Sequence, residues 1–284
     1  MLQPLSIARG VLSAALVAAC ATAPLHAQRS LDVPFVPTNQ PTVEAMLRIA
    51  NVGPNDYVID LGSGDGRILI TAARLRGARG FGVDLDPRRV KEATGSAKTA
   101  GVADRVQFFQ RNLFDTKISE ASVLTMYLLP RVNLELKPRL LAELKPGTRV
   151  VSHDFDMGDW EPDLKLSVRG TGSQVYFWVI PARVAGRWQV ELADPRGRQS
   201  FELEFTQKYQ EIEASTRGLD RPATIRDARV DGSRISFALI EDGQYVNRLR
   251  FEGEVKGKTI EGTARGDGAA ARREQRWRAT RASP

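Results

Sequence analysis

The 284-residue chain is 42% hydrophobic and 26% charged, which excludes disorder along its whole length and leaves room for two modest cores or one large one. Its 41 Lys and Arg exceed its 34 Asp and Glu by seven, but the excess is spread out, and only residues 265–284, with six Arg against two acids, form a basic run; a solvated terminus explains such a run as well as a nucleic-acid footprint does. One cysteine, Cys20, and two histidines, His26 and His153, exclude an internal disulfide framework, a CxxC redox pair and a cysteine zinc site, so no metal centre is expected.

Residues 1–10 carry one Arg and no acid, residues 11–25 (VLSAALVAACATAPL) are apolar and small, and Leu25-His26-Ala27 before Gln28 resembles a signal-peptidase site. Residues 1–27 therefore read as a signal peptide, which makes the protein exported and periplasmic with a mature start near Gln28. Val17-Ala18-Ala19-Cys20 also resembles a lipobox, the competing fate, in which a lipidated Cys20 attaches the chain to a membrane. A misassigned start would instead leave the protein cytoplasmic. The apolar run itself is too short and too rich in Ala for a membrane span, which needs about 20 strongly apolar residues.

From Thr38 to about Pro162 short apolar strands alternate with helical stretches, the pattern of a parallel sheet with crossover helices. Thr42–Ala50 places Val43, Met46, Leu47 and Ile49-Ala50 on one helical face. Tyr57–Leu61 is a strand, Arg67–Arg76 a helix and Gly80–Leu85 a strand. Pro87 opens a helix to about Ala100, since proline suits the first helical turn. Arg105–Gln110 and Ser122–Tyr127 read as strands, Val132–Leu144 as a helix closed by Pro146-Gly147, and Arg149–His153 as a strand. Leu164–Val168 and Val175–Ile180 would finish the sheet as an antiparallel pair. Residues 28–182 thus form a Rossmann-like α/β domain.

Beyond about Ala182 the helical period gives way to short alternating runs at Trp188–Leu192, Ser200–Phe205, Gln210–Ala214, Ala228–Val230, Arg234–Leu239, Arg248–Gly253, Lys258–Ala264 and Gln275–Ala279. Turns such as Asp194-Pro195, Asp231-Gly232, Asp242-Gly243 and Lys256-Gly257 separate them, which predicts a small all-β barrel or sandwich over residues 183–284.

The strongest chemical signal is Val58-Ile59-Asp60-Leu61-Gly62-Ser63-Gly64-Asp65-Gly66-Arg67, an apolar strand running into three glycines and then a helix. Glycine lets the backbone turn sharply and approach a ligand, and the helix start behind it presents free N–H groups. Asp84, 22 residues after Gly62, ends the next strand, where a carboxylate can accept both hydroxyls of a ribose. A dinucleotide fingerprint would put its third glycine at position 67, where Arg67 stands. Asp60 beside the loop suits a cationic amino group and would repel a pyrophosphate.

This set looks like motif I of the class I S-adenosylmethionine-dependent methyltransferases, and Gly82-Val83-Asp84-Leu85-Asp86-Pro87 resembles their second motif. The resemblance implies S-adenosyl-L-methionine as cofactor, its methionine part held by Asp60 and the loop Gly62, Ser63, Gly64 and Gly66, and its ribose by Asp84. Asn112 stands where the family usually has an Asp on the adenine amine; an Asn carbonyl can accept the same bond. Pro34-Phe35-Val36-Pro37-Thr38, DLGSGDGR and Tyr127-Leu128-Leu129-Pro130 are similar to the protein-lysine methyltransferase family that acts on the ATP synthase c subunit and the adenine nucleotide translocase. Bacterial proteins similar to it also carry a block like Val151–Trp160. That likeness covers about residues 33–163 and implies a protein lysine, or else a small molecule, as methyl acceptor.

By the same resemblance Tyr127, after the fourth strand, faces the methyl and orients the acceptor with its hydroxyl. His153 and Asp154 end the fifth strand at the functional edge of such a sheet, where a His can accept a proton; Asp154, Asp156 and Asp159 equally suit loop capping. Phe35 and Thr38 either close over the cofactor or belong to a Pro-rich connector. Gly186-Arg187-Trp188 resembles the start of lipocalin-like barrels, with Arg278 as the Trp's partner, although a Trp in a core is the commoner role.

Two readings of function compete. The intact Asp60, Gly62, Gly64, Gly66 and Asp84 set argues for a working methyltransferase. The leader and the appended β domain argue for an exported, non-catalytic binding protein that keeps the fold. No nucleic-acid partner is expected, because the net charge is modest and YLLP replaces the NPPY-type base-flipping motif.

Overall fold

A computed structural model describes residues 35–194, 197–241, 247–266 and 274–282. The expected leader with Cys20 and His26, together with Pro34, Pro195 and the Asp242-Gly243 turn, lies outside the described residues.

Five parallel strands, β1 (Tyr57–Leu61), β2 (Arg79–Asp84), β3 (Val106–Gln110), β4 (Val123–Met126) and β5 (Arg149–His153), are joined by β6 (Leu164–Ser167) and β7 (Gln174–Val179), which run antiparallel. The order is β3-β2-β1-β4-β5-β7-β6. β1 pairs with β2 on one side and β4 on the other, so the order reverses there and leaves a crevice at the C-terminal strand ends. The antiparallel pair expected from the sequence is β6–β7.

Alternation within strands that are buried on both faces splits the core. Val58, Val123 and Val151 face α1 (Gln40–Ile49), α2 (Arg67–Arg76) and α3 (Pro87–Thr99). Ile59, Leu61, Leu124 and Val150 face α4 (Pro130–Glu143), whose Val132, Leu136 and Leu140 are buried. Each such side chain stabilises the fold by about 1.5–3 kcal/mol. α1 begins two residues before the expected Thr42, because Asn39 caps it by accepting from Thr42 N at 3.0 Å. α4 likewise begins at Pro130 rather than Val132, since proline at the first position has no N–H to leave unpaired.

The remaining strands are β8 (Gly186–Asp194), β9 (Gly197–Lys208), β10 (Glu211–Arg217), β11 (Ala223–Asp231), β12 (Arg234–Glu241), β13 (Asn247–Lys256), β14 (Thr259–Gly266) and β15 (Glu274–Arg281). Each pairs antiparallel with the next, and β15 returns to β8, so the sheet is a closed eight-stranded barrel and not a sandwich. Its interior is filled: Phe237 stacks on Phe251 at 4.7 Å, with Trp277 edge-on to both at 5.7 and 5.4 Å. β11 is longer than Ala228–Val230, because a register shift between Arg226 and Arg229, with Asp227 at φ 54°, breaks the two-residue alternation.

Trp188 is buried, and the partner assigned to it from sequence is corrected. Arg281 lies 4.4 Å from its ring and donates to the carbonyls of Ala185 and Arg183. Arg278 points outward, 3.8 Å from Glu261. Trp277 and Ala279 face inward, so position 281 shares their side and 278 does not.

Barrel and sheet are packed together. The carbonyl of Gly232, a residue at φ 58°, accepts from Ala182 N at 2.7 Å, and a Cβ on Gly232 would sit 3.0 Å from Gly147 Cα. Arg183 Nη2 donates to the Leu141 carbonyl at 2.9 Å.

Candidate active site

The glycine loop after β1 occupies the crevice. Gly62, Gly64 and Gly66 have φ of 77°, 52° and 80°, left-handed values that side chains disfavour. A Cβ on Gly64 would lie 2.5 Å from the Phe35 ring, and one on Gly62 2.8 Å from Leu128 Cδ2. Gly62 N and Ser63 N both donate to the Val83 carbonyl at 2.9 Å, which ties the loop to β2.

Asp60 is 1% exposed. Its Oδ1 accepts the Thr125 hydroxyl at 2.7 Å, while Oδ2 is buried with no partner among the described residues. Burial pushes its carboxyl up to about 7, and the nearby Asp84 and Asp65 add to this against the Thr125 hydrogen bond. Ser63 Oγ is also buried without a partner among the described residues. A buried acceptor with one open oxygen beside a glycine cradle fits the amino group of an amino-acid ligand, since an unmet buried polar atom is costly until something pairs it.

Asp84 is oriented by the loop: its Oδ2 accepts from Gly64 N and its Oδ1 from Asp86 N, both at 2.9 Å. Its position at the end of β2 suits ribose hydroxyls. Asn112 caps the 3-10 turn Leu113–Asp115, with Oδ1 accepting from Phe114 N at 3.0 Å. Part of its acceptor capacity is therefore used locally.

The segment before α1 closes this side. The Phe35 ring covers Gly64, and the Arg89 guanidinium lies 3.7 Å over it. Thr38 O accepts from Arg67 Nη1 at 2.8 Å, while Arg67 forks onto Asp65. Burial alone would raise Asp65, but the Arg67 hydrogen bonds outweigh it and hold the carboxyl below its usual range.

Tyr127, Asp154 and His153 meet at the ends of β4 and β5. The Tyr127 ring is 3.9 Å from the His153 ring and stacked 6.2 Å from Phe155. Burial, then the Asp154 carboxylate beside it, holds the phenol above its usual range. Asp154 takes φ 61°, and its Oδ1 accepts from Gln174 N at 2.8 Å. Such a left-handed conformation in a non-glycine residue marks a place where surroundings over-determine the backbone. His153 is buried; its Nδ1 lies 3.1 Å from Thr38 Oγ1 and its Nε2 2.9 Å from Ser173 Oγ and 3.3 Å from Asp154 Oδ2. Burial holds its pKa below the usual value, with Asp154 opposing in part. The ring thus ties the segment before α1 to the β6–β7 hairpin.

Sequence reasoning missed Thr125, Ser173 and Asn133. Buried Asn133 on α4 donates from Nδ2 to Ser152 Oγ and to the carbonyls of Phe155 and Asp156, at 3.1, 3.1 and 3.2 Å. A polar residue in an otherwise apolar run flags Thr125 within β4 and Asn133 beside Val132 and Leu136 as positions but not their partners, and Ser173, in the β6–β7 connection, carries no such signal.

Residues 60–164 match the ANTKMT methyltransferase domain. A protein-lysine N-methyltransferase of Saccharolobus islandicus (strain REY15A) is 46% identical over 151 residues, which span 52% of this chain and 94% of that protein. An ATP synthase c-subunit lysine N-methyltransferase of Xenopus laevis is 31% identical over 160 residues, 55% of this chain and 70% of that protein. A crystal structure described as an RNA methyltransferase from Salinibacter ruber in complex with S-adenosyl-L-homocysteine is 55% identical, covering 52% of this chain and 96% of that one with a TM-score of 0.51. The domain match ends at residue 164, before the barrel begins at Gly186.

Proposed function

The chain belongs to the protein-lysine N-methyltransferase family that carries the ANTKMT methyltransferase domain, and from that premise we propose that it methylates a lysine side chain of a protein. It is an S-adenosyl-L-methionine-dependent methyltransferase, with that compound as cofactor. The observation that carries the lysine reading is the 46% identity to the Saccharolobus islandicus protein-lysine N-methyltransferase over 94% of that protein.

In this reading Asp60 Oδ2 and Ser63 Oγ take the cofactor's amino-acid end, Gly62, Gly64 and Gly66 let it approach the backbone, Asp84 accepts the ribose hydroxyls and Asn112 meets the adenine. The bound cofactor supplies an activated sulfonium methyl, so the protein's work is alignment and exclusion of water. Tyr127 Oη accepts one N–H of the incoming amine and Asp154 beside it accepts another, which leaves the nitrogen lone pair free for the methyl. His153, buried with both ring nitrogens engaged, holds Tyr127 in place by ring contact. The amine has to arrive neutral, which a desolvating aromatic wall favours.

The test is incubation of the purified chain with methyl-labelled S-adenosylmethionine and a cell extract, followed by protease or ribonuclease digestion. Label released as methyl-lysine, and lost with Asp84→Ala, supports the proposal. Label that survives protease and is removed by ribonuclease overturns it in favour of an RNA acceptor, the reading that the description of the Salinibacter ruber structure favours. We also propose that residues 1–27 are removed on export. A mature N-terminus near Gln28 by mass analysis supports this, and one at Met1 or at a lipidated Cys20 overturns it.

A further inference from the structure

After Asp154 the chain runs through Phe155–Glu161 before reaching β6, and two different parts of the molecule hold that segment. Its first half is fixed by Asn133, through the carbonyls of Phe155 and Asp156. Its second half is held by the barrel together with β7, whose Trp178 Nε1 donates to the Trp160 carbonyl at 2.9 Å. Trp160 is fully buried, its Nε1 donates to Gln210 Oε1 at 2.8 Å, and Gln210 Nε2 donates to the Glu161 carbonyl at 2.8 Å. The Tyr209 ring stacks on Trp160 at 5.5 Å, and its hydroxyl lies 3.0 and 3.1 Å from the two Asp159 carboxylate oxygens. Lys137 Nζ closes the set from α4, donating to Asp159 Oδ1 at 2.5 Å and to the Met157 carbonyl at 3.1 Å.

Tyr209 and Gln210 form the turn between β9 and β10, and Tyr209 adopts φ 56°. A bulky residue rarely takes that conformation, and it persists where surrounding contacts fix it. The barrel meets the sheet a second time where Gly232 packs against Gly147 and its carbonyl accepts from Ala182 N at 2.7 Å. Its interior is occupied by its own aromatic rings, so its contribution at this edge is made by its outer turn.

We propose that Tyr209 and Gln210 are positioning residues for methyl transfer: the β9–β10 turn holds Phe155–Glu161 and, through the Phe155–Tyr127 stack, sets the wall against which the acceptor lies. This rests on Tyr127 facing the acceptor. It gives the barrel a part in the reaction although the matched methyltransferase region ends before it.

The test uses the full chain with Gln210→Ala, which removes both amide bonds, and Tyr209→Phe, which removes only a hydroxyl. His153 is a clean reporter, because the sequence has one other histidine, His26, and His26→Gln identifies its signal. Four quantities are read: amide hydrogen exchange across the chain, the His153 ring resonance, which the Tyr127 ring at 3.9 Å shifts, the dissociation constant of S-adenosylhomocysteine, and the rate of methyl transfer to extract protein at saturating S-adenosylmethionine. The expected result is exchange at residues 155–161 faster by about tenfold, a displaced His153 signal, cofactor-product affinity within about twofold, and transfer slowed by about tenfold or more in Gln210→Ala. Unchanged exchange with an unmoved His153 signal in Gln210→Ala overturns the proposal, and so does undiminished transfer by that variant. So does faster exchange spread over β1–β4 with lost affinity, which marks general loosening. Undiminished transfer by Tyr127→Phe would remove the underlying reading of Tyr127 while leaving the exchange result standing, so the two failures are distinguishable.

Discussion

Thr125 donates its hydroxyl to Asp60 Oδ1 at 2.7 Å across the central strand pair, and this leaves Oδ2 as the open, buried oxygen at the glycine loop. Asp60→Asn keeps the shape and removes the charge. A charge-assisted bond contributes about 1.5–3 kcal/mol, so binding of S-adenosylhomocysteine measured by calorimetry is expected to weaken roughly 10- to 100-fold. Above about pH 7, where the carboxyl is charged, the ligand-free protein should not lose stability, because the substitution removes a buried charge.

The same residue makes a pH prediction with a definite sign. Its carboxyl is raised from 3.8 to about 7, so the folded, ligand-free protein holds a proton that the unfolded chain releases. Asp60 therefore favours folding at low pH, and that contribution is lost as pH rises from about 4 through about 7. A cationic ligand group demands the charged form, so binding near pH 6 should release a proton, seen as a calorimetric enthalpy that changes with the buffer's ionisation heat. Binding enthalpies independent of buffer would contradict the assignment.

Gly64 gives a steric prediction. At φ 52°, with Phe35 2.5 Å from an added Cβ, Gly64→Ala both strains the backbone by about 1–2 kcal/mol and displaces the ring that covers the loop. Weaker S-adenosylhomocysteine binding together with faster proteolysis near Phe35 is the expected pair of changes.

Thr38 and His153 lie 115 positions apart and meet at 3.1 Å. Thr38→Val leaves a buried ring nitrogen unpaired, at a cost of about 1–3 kcal/mol, read as a lower denaturant midpoint. In the native chain, burial depresses the His153 pKa from 6.5. The unfolded state then binds the extra proton first, so this contribution to stability is present above pH 6.5 and is lost as pH falls through the depressed folded value. The His153 ring resonance should titrate with a midpoint below 6.5; a midpoint above it would be wrong for a neutral, buried ring.

The parts of this molecule written in local order were legible from sequence. The strand–glycine–helix run from Val58 to Arg67, the caps at Asp86-Pro87 and the alternating strands of the barrel follow from neighbours a few residues apart. Thr125, Asn133 and Ser173 were not legible, because their partners lie 65, 19 and 20 positions away and only the fold brings them together. The bulge at Asp227 hid most of β11 for a related reason, since an inserted residue reverses the parity on which alternation depends. The role of Tyr209 and Gln210 was invisible for both reasons, being a barrel turn that acts on a loop of the other core.

Parity also makes the barrel testable. Trp277 and Ala279 point inward on β15, which puts Arg281 on the inner side at the barrel's end, over Trp188 and within reach of two carbonyls, while Arg278 stands outside beside Glu261. A cation over an indole contributes about 0.5–2 kcal/mol, and hydrogen bonds from a charged donor about 1.5–3 kcal/mol. Arg281→Ala should therefore lower barrel stability by about 1.5–3 kcal/mol, the two overlapping terms not being additive. Arg278→Ala changes an exposed side chain and should stay within about 0.5 kcal/mol. Urea unfolding followed through tryptophan fluorescence distinguishes the two variants, and equal midpoints would refute the inward placement of Arg281.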